Sequence, residues 1–275
     1  MELEFPVMPA CLTKAEEKIM DYIFGHTGHF LFASIGQLSE QLGISDATIS
    51  RFARHVGCKD FKELKAVVME QSTIGEPAIK MAGTLNKEKN FCVESWIMQQ
   101  QICLKHTMEQ LDSVEFQRAA EEIVTARRIF IHGKNASGSM AQLLFYRLRR
   151  LGIQVSLLPA GGTEIIEGLV HADNNDLVVM FSFSKISNEG RLILDYQKSA
   201  GYHTLAFTSR LYVPKEQMAN VNLYVYRGEE KEYHSMSAPA AIVDALTLVV
   251  SEKIGAKSVD KLREIHVLKR QYTNI

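Results

Sequence analysis

The sequence predicts an α/β protein preceded by a separate all-α domain, and two observations carry this fold class. From Leu12 to Glu70 the apolar residues recur at helical spacing, whereas from Arg127 to Ile254 short β-rich runs alternate with amphipathic helical stretches. Between them, Ser72 to Asn90 combines Gly75, Pro77, Gly83 and a charged run, as a linker does. The expected division is a helical domain over 1–75, a linker and connecting helix over 76–110, and an α/β domain over 111–275. Within the connecting stretch Phe91 to Gln110, the residues Trp96, Ile97, Leu104 and Met108 read as a face packed on the second half.

A length of 275 residues suits two domains, and 46% hydrophobic with 23% charged residues suits a sizeable core. A formal net charge of −1 excludes a uniformly basic coat for nucleic acid and leaves room for a local basic face. Cys11, Cys58, Cys92 and Cys103 form no CxxC pair and no metal-ligand spacing, so free thiols in a reducing compartment are expected, with no metal and no cofactor. The start "MELEFPVMPACL" lacks a signal-peptide pattern, and no segment approaches about 18 uninterrupted apolar residues. A cytoplasmic protein without a membrane partner is expected.

In the helical half, Thr13 caps a helix bearing Ile19, Tyr22 and Ile23 on one face. In "SIGQLSEQLGISDATISRFARHVG", Leu38 and Leu42 share a face, Gly43 supplies a positive φ for a turn, and Ile44 fills the angle. Small Ser39 suits a close helix crossing. Ser45 then caps a second helix with Ile49, Phe52, Ala53 and Val56 at i, i+3, i+4 and i+7. This is a helix-turn-helix pattern. Projecting the second helix at about 100° per residue leaves Ala47, Thr48, Ser50, Arg51 and Arg54 opposite the core face, free to meet a DNA groove together with the cap residue Ser45. Lys59, Lys62 and Lys65 follow as phosphate anchors, so from Ala47 to Lys65 five basic residues face Asp60 and Glu63. His26 and His29 lack further ligands and read as surface polar residues.

In the second half, "RRIFIHG", "IQVSLLP", "DLVVMFS", "YHTLAFTS" and "VNLYVY" read as five strands of a parallel sheet with helices on both faces. Ligands of such sheets collect at the strand C-termini near the topological switch point. Gly133, Asn135 and Ser137 form a polar loop that opens a helix after the first strand, a geometry that binds phosphate through free N–H groups. Ser182, Ser184 and Ser187 follow the third strand, and Thr208 and Ser209 the fourth; as a set these hydroxyls suit a phosphorylated, polyhydroxylated ligand.

From about Leu12 to Ile254 the chain resembles bacterial RpiR-type transcriptional regulators, which join a helix-turn-helix to a SIS (sugar isomerase) domain. Their S-x-x-T-[IV]-x-R-F core stands here as Ser45, Thr48, Ile49, Arg51 and Phe52. The resemblance implies a flavodoxin-like, three-layer α/β/α SIS domain that binds a sugar phosphate, a homodimer or homotetramer, and operator DNA binding modulated by that ligand. The family's G-x-G-x-S loop corresponds to Gly133, Asn135 and Ser137, and its S-x-S-G-x-[TS] loop to Ser182, Ser184, Lys185 and Ser187. Each departs by one glycine. Asn135 is expected to tolerate the αL conformation, while Lys185 is expected to cost backbone freedom and to add a charge beside a phosphate.

A sugar-phosphate isomerase needs a general base and acid near the substrate. Glu164, Glu167, His132, His171 and His234 are candidates, but no spacing ties them together, and Ser237 before Ala238 and Pro239 reads as a helix cap. No catalytic residue is therefore assigned. The expected function is a ligand-responsive regulator; an isomerase with a helical extension, or a SIS domain serving only dimerisation, are the alternatives.

Overall fold

Thr13 opens the first helix as the sequence predicts: its hydroxyl accepts the Glu16 N–H at 3.3 Å, and the Glu16 carboxylate accepts the Thr13 N–H at 2.8 Å, a reciprocal cap. The computed structural model describes residues 4–9, 11–71, 76–85 and 91–272. It separates into two compact units, Met1–Ile97 with Gly228–His234, and Met98–Arg227 with Ser235–Ile275.

The helical unit contains α1 (Lys14–Gly25), α2 (Thr27–Phe32), α3 (Ile35–Leu42), α4 (Asp46–His55), α5 (Phe61–Gln71) and α6 (Glu76–Leu85); α7 (Val93–Gln110) begins in it and continues into the second unit. Ile19, Ile23, Phe30, Leu38, Ile49, Phe52 and Leu64 are fully buried in its core. Glu16 also meets His55 Nδ1 at 2.8 Å, so the cap of α1 doubles as a tie to the end of α4. Of the expected linker, 72–75 and 86–90 lie outside the described residues; between them α6 buries Ala82 in the same core. The segment Gly228–His234 comes from far along the chain, yet Lys231 pairs with Glu70 at 2.7 Å and the Tyr233 N–H donates to Thr84 Oγ1 at 2.7 Å. No periodicity foretold that tie.

The second unit continues with α8 (Ser113–Thr125), β1 (Arg128–Gly133), α9 (Ala136–Arg150), β2 (Val155–Leu157), α10 (Glu164–Leu169), β3 (Asp176–Phe181), α11 (Asn188–Ala200), β4 (His203–Thr208), β5 (Val221–Tyr224), α12 (Ser237–Ile254) and α13 (Ala256–Tyr272). All five expected strands form one parallel sheet in the order β2-β1-β3-β4-β5. Period-two alternation divides its core. Ile129, Ile131, Leu177 and Val179 pack with α8, α9 and α12, while Phe130, Val178 and Met180 pack with α10 and α11. The result is the three-layer α/β/α architecture.

Two local expectations are corrected. In α7 the buried residues of the α/β unit are Cys103 and Thr107, whereas Leu104 and Met108 are exposed; Thr107 Oγ1 donates to the Cys103 carbonyl at 2.8 Å and accepts the Tyr226 N–H at 3.0 Å. A hydroxyl that closes the helix's own hydrogen bonds can be buried where apolar spacing alone would have put Leu104. At α12, Ser237 is the first helical residue and Met236 occupies the cap position, with Ser235 Oγ accepting the Ser237 N–H at 3.1 Å, so the helix starts one residue earlier than a Ser237 cap requires.

At the other end of the sheet, the fully buried Asp176 carboxylate holds Arg128 at 2.6 Å and Arg127 at 3.0 Å. Burial pushes its pKa up, but the two guanidinium hydrogen bonds and the Asp173 N–H outweigh this and hold it at about 2, from an ordinary 3.8. A depressed folded-state pKa stabilises the fold fully above 3.8, and that contribution disappears as pH falls towards 2. Denaturant unfolding across this window is expected to show falling stability. In Asp176→Asn this pH dependence should flatten, and the loss of the anion between two arginines should cost about 3 kcal/mol at neutral pH.

Candidate functional site

The turn between α3 and α4 is built as its residues require. Gly43 adopts φ 63°, ψ 38°, the left-handed geometry that a side chain disfavours. Ser39 does more than permit a close crossing: its hydroxyl donates to the Ile44 carbonyl at 2.5 Å, and the Ile44 N–H returns to the Ser39 carbonyl at 3.1 Å. Ser45 Oγ accepts the Thr48 N–H at 3.2 Å and caps α4. Ile49, Phe52, Ala53 and Val56 are fully buried, which turns Ala47, Arg51 and Arg54 outward, with Thr48 and Ser50 partly exposed beside them. Arg51 Nη2 donates to Thr48 Oγ1 at 3.3 Å and Arg54 Nε to the Ser50 carbonyl at 3.3 Å. Arg51, Arg54, Lys59 and Lys62 are exposed and have no carboxylate partner among the described residues.

Lys65 is not a phosphate anchor. It is 3% exposed, its ammonium lies 5.3 Å from the Phe61 ring centroid, and burial pulls its pKa down to about 8. Its place in the sequence just after α4 suggests a phosphate anchor, but α5 turns that side chain into the core. Asp60 and Glu63 are partly used as helix-end acceptors, Asp60 for the Glu63 N–H at 2.8 Å and Glu63 for the Lys59 N–H.

In the α/β unit, Gly133 pairs with Phe181, Phe181 with Phe207, and Thr208 with Tyr224, so the loops after β1, β3, β4 and β5 leave the sheet at one level. Strand order reverses between β1 and β3, which opens a crevice there. One lip holds Gly133, Asn135 and Ser137; the other holds Ser182, Ser184, Lys185 and Ser187. Gly133 is required by close approach, because a Cβ there would lie 2.6 Å from the Ser137 carbonyl oxygen. Ser137 Oγ has no hydrogen bond among the described residues, and Ser182 Oγ reaches only the Lys185 carbonyl at 3.4 Å. Ser187 caps α11 by accepting the Gly190 N–H at 3.1 Å. Thr208 and Ser209 are occupied within the fold: Thr208 Oγ1 accepts the Arg210 N–H at 3.1 Å, and Ser209 Oγ donates to the Val225 carbonyl at 2.6 Å.

The two departures from the glycine pattern behave opposite to expectation. Asn135 has φ 53° and ψ −130°, outside the αL basin, in a region that glycine occupies freely. Lys185 has no positive φ, so a side chain costs its backbone nothing special. It is exposed and has no ion-pair partner among the described residues.

Three charged residues near this crevice escaped the sequence reading. Lys134 pairs with Glu189 at 2.8 Å, and chiefly that hydrogen bond holds the Glu189 pKa at about 2. Arg227, past β5, is 7% exposed and donates to Ser184 Oγ at 3.1 Å. Lys134 could have been noticed between Gly133 and Asn135; Glu189 and Arg227 carry no local signal. The acid and base candidates are scattered. His132 is buried at the end of β1, and burial pushes its pKa down; Glu164 and Glu167 are exposed on α10. His171 lies at the opposite end of the sheet, its carbonyl accepting Arg128 at 2.6 Å, and His234 belongs to the helical unit. Among the described residues no cluster of His, Cys, Asp and Glu could hold a metal ion.

Asn135→Gly should relieve its backbone and stabilise the protein by about 1 kcal/mol, measured by denaturant unfolding. Lys185→Gly should gain nothing of the kind.

Residues 7–73 match the helix-turn-helix domain of the rpiR family, and residues 122–249 match the SIS domain. An uncharacterised HTH-type transcriptional regulator of Caldanaerobacter subterraneus is 24% identical over 253 residues, 90% of this chain and 88% of that protein. Among solved structures, NanR of Vibrio vulnificus complexed with ManNAc-6P is similar with a TM-score of 0.58 at 20% identity, over 94% of each chain. The sugar isomerase domain of an RpiR transcription factor from Sphaerobacter thermophilus gives a TM-score of 0.58 at 22% identity, covering 62% of this chain and 95% of that one. These two likenesses show the fold. The chain thus carries an rpiR-family helix-turn-helix domain followed by a SIS domain, the domain order of RpiR-type transcriptional regulators.

Proposed function

We propose that this protein binds operator DNA through α4 and that a sugar phosphate, held at the C-terminal ends of β1 and β3, modulates that binding. The observation that carries the reading is the outward face of α4 within an rpiR-family helix-turn-helix. Ala47 and Ser50 leave room for the backbone to approach the groove, Arg51 reaches base edges with its orientation set by Thr48, and Arg54, Lys59 and Lys62 meet phosphates. The effector binds between the Gly133–Asn135–Ser137 loop and the Ser182, Ser184, Lys185 and Ser187 hydroxyls and charge. NanR's complex with ManNAc-6P supports a sugar phosphate as the ligand class.

The SIS domain acts here as a sensor, not an enzyme, a reading supported by the lack, among the described residues, of any hydrogen bond or ion pair linking the side chains of Glu164, Glu167, His132 and His171 to one another. The working form is a homodimer or homotetramer, since two reading helices need a symmetric operator. Leu104 and Met108 beside Val114 leave apolar surface on the α/β unit for a second copy, with Met108 71% exposed. No helix among the described residues is long and apolar enough to cross a membrane, and a cytoplasmic setting fits operator binding.

Affinity for the DNA upstream of the protein's own coding sequence, measured over a salt series, tests the reading. Arg51→Ala should cost about 1–3 kcal/mol and relax base preference, whereas Lys62→Ala should weaken binding evenly across sequences and reduce the salt slope by about 1. Absence of specific, salt-dependent binding would sink the regulator reading. Met108→Glu should shift sedimentation towards the monomer if that apolar surface joins two copies.

A further inference from the structure

We infer that Arg227 is the residue that meets the anionic group of the effector, an assignment that rests on the proposal of a sugar phosphate in the serine crevice. Arg227 lies three residues past the end of β5, and its guanidinium reaches back over the Phe183 ring, 4.1 Å from the centroid. There Nη2 donates to Ser184 Oγ at 3.1 Å and Nε to Ser209 Oγ at 3.2 Å. The cation is thereby placed on the loop that follows β3, next to one of the candidate ligand hydroxyls.

A guanidinium that is 7% exposed normally has a carboxylate beside it. Even the more exposed Arg127 and Arg128 share one, Asp176. Arg227 has none among the described residues; its partners are two neutral hydroxyls and an aromatic face. Burial lowers its pKa to about 10, which still leaves it charged at neutral pH. An uncompensated cation held by hydroxyls at the mouth of a crevice is a preorganised acceptor for an anion, and a guanidinium fork matches a phosphate's oxygens in pairs. Lys134 cannot take this part while Glu189 neutralises it at 2.8 Å. Lys185 is exposed, and an ammonium is a point charge without a fork, so it adds long-range attraction and little geometry. The ligand class that follows is one whose anionic group sits on the β3 side of the crevice, with its hydroxyl-bearing part towards Ser137 and β1.

The test uses the full-length protein and inorganic phosphate as the probe, titrated against thermal unfolding at constant ionic strength with chloride as the balancing anion. Wild type should be stabilised saturably. Arg227→Gln should weaken the apparent phosphate affinity tenfold or more, while Lys185→Gln should change it less than threefold. Arg227→Lys keeps the charge without the fork and should fall between, at least threefold weaker than wild type. If Arg227→Gln does not fold, the Lys variant decides alone. Arg227 variants that fold and bind phosphate within twofold of wild type overturn this assignment while the crevice reading stands, which Ser137→Ala then reports by weakened binding. A wild type that responds to neither phosphate nor a panel of sugar phosphates overturns the crevice reading and this assignment together.

Discussion

The parallel pairing of β1 with β3 is the constraint on which the α/β unit depends. It runs from Arg128 opposite Asp176 to Gly133 opposite Phe181, so both strands end level and their loops face one another across the crevice. A slip of one residue would send Ile129 and Ile131 to the face of Phe130 and would separate Gly133 from its place above the sheet. Asp176 guards this register at the entering end by binding Arg128, which begins β1, and Arg127 just before it. A buried carboxylate shared by two guanidiniums is satisfied in one arrangement only, so it discriminates against slipped pairings more strongly than apolar side chains can.

The charges at the exit end follow a different logic. Lys134 and Glu189 cancel across the two lips of the crevice, tying the β1 loop to the first turn of α11. Arg227 and Lys185 have no such partner among the described residues, one held rigidly under the surface and the other free on it. The serines serve two purposes at once. Ser187 caps a helix and Ser184 braces Arg227, while Ser137 has no hydroxyl hydrogen bond among the described residues. Asn135 strains the first loop, in a conformation that glycine would hold without cost.

In the helical unit, local caps carry tertiary weight. Glu16 completes the cap of α1 and also holds His55, at the end of the helix that presents Arg51. Ser39 closes the turn before that same helix. The excursion Gly228–His234 shows that this unit is not assembled from the N-terminal sequence alone: it recruits Lys231 and Tyr233 from a part of the chain that follows the last strand.

The sequence by itself determined the order of helices and strands, the turn at Gly43, the caps at Thr13 and Ser45, and the polar loops after β1 and β3. These depend on periodicity and on side chains acting within a turn or two of their own position, so they are written locally. Only the tertiary structure decided that Lys65 is buried, that α7 packs through Cys103 and Thr107, and that Asn135 rather than Lys185 carries the backbone strain. It also decided that Glu189 cancels Lys134, and that Arg227 lies under Ser184 without a counter-charge among the described residues. Burial and the pairing of charges depend on which distant segment arrives beside a residue, and no local pattern encodes that arrival.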